Sequence, residues 1–209
     1  MSAPLKSCKA EGSGCQSGFT VTEFLIAAAI LLVITSAVFG LIIDIQQSGG
    51  YQSEVQSVLN NTRIAMQTVE RFIRQAGNDP FGVGFAGITI VSAQEIQVRS
   101  DLTGSAGPGS PDRGDPDGDT GDSGESVAIR FNSSTRSLEI VAEGGAAQIV
   151  AGSISGLSFQ YYDAAGNITA TGGDVRKVGI SVSGTSLQRD PRTGKTFGVQ
   201  LNSEIAISA

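Results

Sequence analysis

The chain contains no histidine and no tryptophan, and both of its cysteines precede residue 18. From Gly18 onward it can therefore hold neither a disulfide nor a zinc site built on cysteine. The run Gly121-Asp122-Ser123-Gly124 mimics the nucleophile loop of trypsin-like proteases, but that chemistry needs a histidine as general base. We therefore predict that the protein is not an enzyme.

Positive charge is scarce as well. The 209 residues include 14 Lys and Arg against 20 Asp and Glu, which gives a formal net charge of −6. Such a chain repels nucleic-acid phosphates, so we expect no nucleic-acid partner.

The length suits one domain with a short appendage and is enough to bury a sizeable core.

One long apolar run dominates the N-terminal part of the chain. Phe24 to Ile43 is 20 residues without a charged side chain, which as a helix would span about 30 Å, the thickness of bilayer hydrocarbon. Lys6 and Lys9 precede the run, so the N-terminus is expected in the cytoplasm and the rest of the chain outside it. An ordinary secretory signal fits poorly, because the small residues Ser17-Gly18 come before the run rather than after it.

Glu23 lies at the edge of this run, where an ionised carboxylate is costly unless it is paired, neutralised or able to reach the interface. Its neighbourhood, Gly18-Phe19-Thr20-Val21-Thr22-Glu23 followed by the apolar run, resembles the type IV prepilin leader motif. The resemblance implies that an inner-membrane prepilin peptidase cleaves after Gly18 and that Phe19 becomes the N-methylated first residue. It also implies that Glu23 pairs with the Phe19 amine of a neighbouring subunit and sets the register of a filament. Residues 1–18 would then be a leader peptide, and residues 19–50 the transmembrane and filament-core half of a helix.

The helix pattern continues beyond the apolar run. Apolar and small residues follow one face at the helical period: Tyr51, Val55, Val58, Leu59, Thr62, Ala65, Met66, Val69, Ile73 and Ala76. Gly77 followed by Pro80 is a typical helix end. We predict one helix from about Phe19 to Ala76, of which residues 51–76 are amphipathic; two helices broken at Gly49-Gly50 are the alternative.

Residues 70–77, with Pro80 and Gly82 after them, strengthen the family match. They are similar to the helix end of PilW-type minor pilins and, less closely, of J-type minor pseudopilins of type II secretion. Many major pilins close a C-terminal loop with a disulfide, which this chain cannot form after Gly18. The resemblance therefore implies a minor subunit of a type IV pilus that contributes to assembly. Its implied partners are prepilin peptidase, other pilin subunits and the bacterial inner membrane, with the C-terminal domain outside the cytoplasm and later on the pilus at the cell surface.

Two other functions stay open at this point. A minor pseudopilin of a type II secretion system would share the same motifs. A membrane-anchored calcium-binding domain that never polymerises would need only the apolar run and an ion site.

The C-terminal part of the chain, residues 87–209, shows short runs with alternating or β-branched residues between turn residues. We predict eight strands: 87–92, 95–100, 126–132, 137–143, 148–150, 155–163, 177–184 and 199–208. The predicted fold class is α+β, a pilin-like fold in which one long N-terminal helix packs on an antiparallel sheet. Residues 51–209 form the extracytoplasmic domain.

An acidic loop, residues 101–125, interrupts the predicted strands. Oxygen ligands separated by glycine are typical of calcium loops, and we predict an irregular calcium site. Its ligands are predicted to be Asp115, Asp117, Asp119, Asp122 and Glu125, which Asp101 and Asp112 could complete. The spacing is not that of an EF-hand, since Thr120 stands where that motif needs glycine. A solvated insertion without an ion is the alternative, and calcium is the only cofactor that the sequence suggests.

Overall fold

A computed structural model describes residues 20–104, 115–122, 124–142 and 145–207 of the chain. The predicted cleavage position Gly18, the predicted methylation position Phe19 and the candidate ligand Asp112 lie outside the described residues. The chain divides after Gln46 into two compact units.

Helix α1 covers Val21–Gln75. It is unbroken at Gly49-Gly50, so the alternative of two helices is wrong. Within the first unit, none of the residues from 21 to 46 is buried, and large apolar side chains such as Phe24, Leu32 and Phe39 are mostly exposed. This helix is long and apolar enough to cross a membrane, which is weakly consistent with a single-pass anchor.

Within the second unit, the rest of α1 packs through one face. Val58, Thr62, Ala65, Met66, Val69 and Ile73 are its buried residues. All six belong to the predicted stripe. They lie three or four residues apart, and residues at that spacing share one face of a helix. Ala76, just beyond the helix end, is buried too, whereas Tyr51, Val55 and Leu59 are half-buried.

The strands form two antiparallel sheets where the sequence predicted one. The five-stranded sheet has the order β1 to β5, made of β1 (Ile88–Ser92), β2 (Glu95–Arg99), β3 (Ser126–Asn132), β4 (Ser137–Ala142) and β5 (Gln148–Ala151). The three-stranded sheet has the order β6 to β8, made of β6 (Ile154–Tyr162), β7 (Lys177–Arg189) and β8 (Thr196–Ala206). The chain changes sheet at Gly152-Ser153, where Ser153 adopts a positive φ of 59° that turns the strand.

One hydrophobic core joins both sheets to the helix. Buried residues from the first sheet include Ile96, Ile129 and Leu138, and those from the second include Val178 and Val182. Strands β2 and β7 alternate buried and half-buried residues, as expected when one face of a sheet is covered. The α+β class is therefore confirmed, with the long helix packed on antiparallel sheets.

Two connections hold the ends of these elements in place. The five-stranded sheet meets the three-stranded one through the backbone bonds Phe159 N to Ala93 O, 3.1 Å, and Ile154 N to Arg136 O, 2.9 Å. The carboxylate of Glu54 on α1 accepts hydrogen bonds from the backbone N–H groups of Leu187 and Gln188. The latter contact lies at the end of β7, which runs five residues beyond its predicted end.

Candidate functional site

Glu23 takes part in the N-terminal cap of its own helix, α1. Its carboxylate accepts hydrogen bonds from the Thr20 backbone N–H at 3.0 Å and from the Thr20 hydroxyl at 2.9 Å. In return, the Thr20 hydroxyl accepts a bond from the Glu23 N–H at 3.3 Å. Thr20 precedes the first helical residue, so this is a capping box, which satisfies backbone donors that a helix start leaves unpaired.

This local role of Glu23 was missed from the sequence, although the signal was present. A Thr followed three residues later by Glu, directly before an apolar run, is the signature of a capping box. The carboxylate at the edge of the apolar segment therefore has a partner within its own chain. Any positively charged partner of Glu23 has to compete with Thr20.

The acidic loop is organised by two buried carboxylates. Asp101 is fully buried and accepts hydrogen bonds from the backbone N–H groups of Asp117 at 3.2 Å and Gly118 at 2.9 Å. Glu125 is 1% exposed, and its Oε1 accepts bonds from the N–H groups of Leu102 and Thr103, both at 2.7 Å. Buried carboxylates require such donors, because an unsatisfied buried charge is costly.

These contacts separate loop anchoring from candidate ion binding. Both Glu125 oxygens already accept backbone N–H groups, since Oε2 receives the N–H of Asp122 at 3.3 Å. The sequence grouped Asp101 and Glu125 with the ligands, because it shows which residues are acidic but not which of them are buried. Asp101 and Glu125 are buried and anchor the loop backbone, which in turn positions the other carboxylates of the loop.

Three predicted ligands lie together. One carboxylate oxygen from each of Asp117, Asp119 and Asp122 lies within 4.8 Å of the others. Asp115 lies outside this group. The loop backbone supports the arrangement, because Asp117 accepts the N–H of Asp119 at 3.2 Å and Asp119 accepts the N–H of Gly121 at 2.8 Å. Three carboxylates at this spacing suit a hard cation such as calcium, which takes six to eight oxygens and fills the remainder with carbonyls and water.

Asp122 is the half-buried member of the three. Its Oδ2 is buried and accepts no hydrogen bond from any residue that the structure describes. Desolvation raises the pKa of Asp122 above its ordinary value, and the negative charges of Asp117, Glu125, Asp119 and Asp101 raise it further. A bound cation would satisfy this oxygen and offset the mutual repulsion of the cluster.

The C-terminal hairpins behave as their turn residues predict. Asp163 accepts the N–H groups of Ala165 and Asn167, both at 2.8 Å, which closes the predicted turn. Asp190 accepts the N–H of Arg192 at 2.8 Å and closes the tip between β7 and β8. The pKa of Asp163 and of Asp190 is lowered chiefly by these backbone hydrogen bonds, as for carboxylates with a structural role.

No protein-family model matches this chain, and a search of curated proteins found none similar to it. The features of the chain that bear on its function are the helix start, the exposed apolar segment and the acidic loop.

Proposed function

We propose that the chain is a structural minor subunit of a bacterial type IV pilus, of the PilW type. In this proposal the apolar half of α1 holds the precursor in the inner membrane. Prepilin peptidase removes residues 1–18, and Phe19 becomes the methylated N-terminus. The apolar half then leaves the lipid for a filament core of similar polarity, while the C-terminal domain faces outward.

One observation carries the proposal. Helix α1 begins with an exposed apolar segment that holds a single acid, Glu23, before Asp44. An anchor that only spans a membrane gains no more than a helix cap from an acid at that depth, and the carboxylate has to be desolvated or neutralised there. A subunit that stacks beside copies of similar helices can use the acid, since the terminal ammonium of a neighbour supplies the opposite charge.

The capping box sharpens the test of this role. Glu23→Gln keeps the shape and a hydrogen-bonding group that can close the box with Thr20, but it removes the charge. Glu23→Ala removes both, and Thr20→Val removes the cap while leaving the charge. If the charge sets the register, Glu23→Gln and Glu23→Ala both reduce incorporation into filaments at least about tenfold, and Thr20→Val reduces it less.

The measurement compares sheared filaments with membranes by quantitative mass spectrometry, which also reads the N-terminus of the chain. A methylated Phe19 in each variant would show that processing is intact and that assembly alone is affected. Normal incorporation of Glu23→Gln would reduce Glu23 to a helix cap. A native chain that begins at any residue other than Phe19 would overturn the proposal.

A second candidate function, a membrane-anchored calcium-binding domain, is favoured by the convergence of Asp117, Asp119 and Asp122. The buried Asp122 Oδ2, which no described residue hydrogen-bonds, favours it as well. The two functions are compatible, because calcium would pin a loop of the outward-facing domain. Calcium binding measured together with presence in filaments distinguishes the two functions. A chain that binds calcium and is never found in filaments is the anchored domain alone.

A further inference from the structure

Strand β8 forms an edge of the three-stranded sheet, and its outward backbone groups can be assigned. The N–H of Phe197 points toward β7, since it bonds the Ser186 hydroxyl at 2.8 Å, and the N–H of Ile207 bonds Arg176 O at 2.9 Å. The register between β7 and β8 is continuous from Thr185 to Lys177. Because strand residues alternate in direction, the odd-numbered residues of β8 face β7 and the even-numbered ones face away.

The outward residues are Gly198, Gln200, Asn202, Glu204 and Ala206. Their N–H and C=O groups bond to no other backbone group in the part of the chain that the structure describes. Little in the sequence of β8 hinders pairing with another strand, because β8 has no proline and Glu204 is its one charged residue. Proteins usually protect a long edge with proline, charge, short length or a covering segment.

The other sheet edges show such protection. On the outer side of β6, the N–H of Phe159 bonds Ala93 O and the C=O of Tyr161 accepts the N–H of Thr169. Beside β1, Gly172 packs so closely on the Ile88 carbonyl that no Cβ would fit between them. Strand β5 has four residues, whereas β8 has 11. The open edge of β8 is thus the longest one that no described segment covers.

A largely apolar groove lies between helix α1 and the first residues of β8. Phe197 of β8 lines it together with Tyr51 and Val55 of α1, and its volume is about 520 Å³. All three side chains are half-buried, as are Val199 and Leu201 further along β8. An added strand would place every second side chain on this face of the sheet, beside the apolar row.

We propose that the β8 edge binds an extended, weakly charged segment of a different subunit in the assembly, which adds a fourth strand to the sheet and places apolar side chains along Phe197, Val199 and Leu201. The inference rests on the proposed filament role. Unpaired main-chain donors and acceptors in a row are matched by another strand, which is the mode of β-strand addition. Pairing of β8 with β8 of a second copy is a poorer arrangement, because such a symmetric contact closes on itself and does not repeat along a filament.

Hydrogen–deuterium exchange tests the inference through the alternation of the strand. The full chain is compared in detergent micelles and in sheared filaments from producing cells, with residue-level readout across β8. The amides of Gln200, Asn202 and Glu204 should exchange at least about tenfold more slowly in filaments, while those of Val199 and Leu201, already bonded to β7, should change little. Unchanged exchange of the even-numbered amides in filaments would overturn the inference.

A matched pair of variants tests the same edge by function. Gly198→Pro removes an outward N–H, whereas Gly198→Ala adds a Cβ that meets Gly184 O at 3.9 Å and Thr185 Oγ1 at 4.0 Å, both ordinary contacts. We expect Gly198→Pro to lower co-purification of other subunits about tenfold and Gly198→Ala to leave it near wild type. Equal effects of the two variants would count against the inference.

The outcomes also separate this inference from the proposed function. Absence of the chain from filaments, or an N-terminus other than methylated Phe19, would remove the filament role itself. Filaments that contain the chain with an unprotected β8 edge would remove only the strand-addition inference. A disulfide between two Gln200→Cys chains in filaments would show self-pairing and would overturn the choice of occupant.

Discussion

At the residue scale, Gly184 lies where strand β7 packs directly against helix α1. A Cβ placed there would lie 2.2 Å from the hydroxyl oxygen of Thr62 and 3.0 Å from a methyl of Val58. Thr62 cannot swing away freely, because its hydroxyl bonds the Val58 carbonyl at 2.7 Å within a buried helix face. The small residue therefore sets the distance at which the helix packs on the three-stranded sheet.

We expect Gly184→Ala to destabilise the C-terminal domain by about 1–3 kcal/mol, since overpacking forces the backbone apart. For a domain of this size, the midpoint of thermal unfolding should fall by about 3–10 °C. Tyrosine fluorescence can follow the transition, because the chain lacks tryptophan and Tyr161 is buried in the core. Gly198→Ala, in the neighbouring strand, is the control and should leave the midpoint within about 1 °C. Equal midpoints for the two variants would mean that the helix can shift at no cost.

At the element scale, the acidic loop combines two buried anchors with a carboxylate cluster in which Asp117 and Asp119 are exposed and Asp122 is half-buried. Asp101 and Glu125 hold its backbone, and Asp117, Asp119 and Asp122 gather at its surface. Without a cation, the cluster opposes folding, because like charges are held together. With one, the same carboxylates become ligands, so the sign of their effect on stability depends on calcium.

Calcium should therefore raise the thermal stability of the full chain in detergent, and EDTA should reverse the effect. At a calcium concentration a hundredfold above Kd, the midpoint should rise by about 5–10 °C. Magnesium serves as the control ion, since it demands a tighter octahedral geometry and should shift the midpoint less. The same midpoint in calcium and in EDTA would leave the loop as a solvated insertion.

Asp122→Asn should change stability in opposite directions with and without calcium. In EDTA, the variant should melt above wild type at neutral pH, because it removes a charge whose pKa is raised by desolvation and by its acidic neighbours. In calcium, it should lose most of the shift. Asp115→Asn is the matched control, because Asp115 lies outside the cluster and should respond to calcium as wild type does.

The pH dependence follows from the direction of the same pKa shift. A carboxyl whose pKa is higher in the folded than in the unfolded chain destabilises the fold when the pH is above the pKa of the folded chain. This penalty fades as the pH falls toward the ordinary pKa of about 4. The advantage of Asp122→Asn over wild type in EDTA should accordingly shrink as the pH is lowered from 7 to 4. An advantage that does not change over this interval would assign it to something other than charge.

At the scale of the whole molecule, the sequence predicts elements better than their arrangement. The helix stripe and all eight strands could be predicted because their periodicities are local, and the predicted strand 126–132 matches β3 at both ends. The second sheet could not be predicted, because it depends on the turn at Ser153. This residue has a positive φ, which serine in a sequence does not indicate. Likewise, the acids of the loop are visible in the sequence, but their division into buried anchors and surface carboxylates depends on long-range packing.

The distribution of the core makes a last prediction. Every buried residue that the structure describes, from Val58 onward, lies in the second unit, whereas residues 21–46 contribute none. Folding of the C-terminal domain therefore does not draw on the apolar half of the helix, whose exposed surface needs an apolar environment instead. A fragment of residues 47–209 should be soluble without detergent and unfold in one cooperative transition, with a midpoint within about 5 °C of the full chain in micelles. Circular dichroism and tyrosine fluorescence should report coincident transitions. A fragment that aggregates or melts without cooperativity would show that the apolar half supports the fold as well as the assembly.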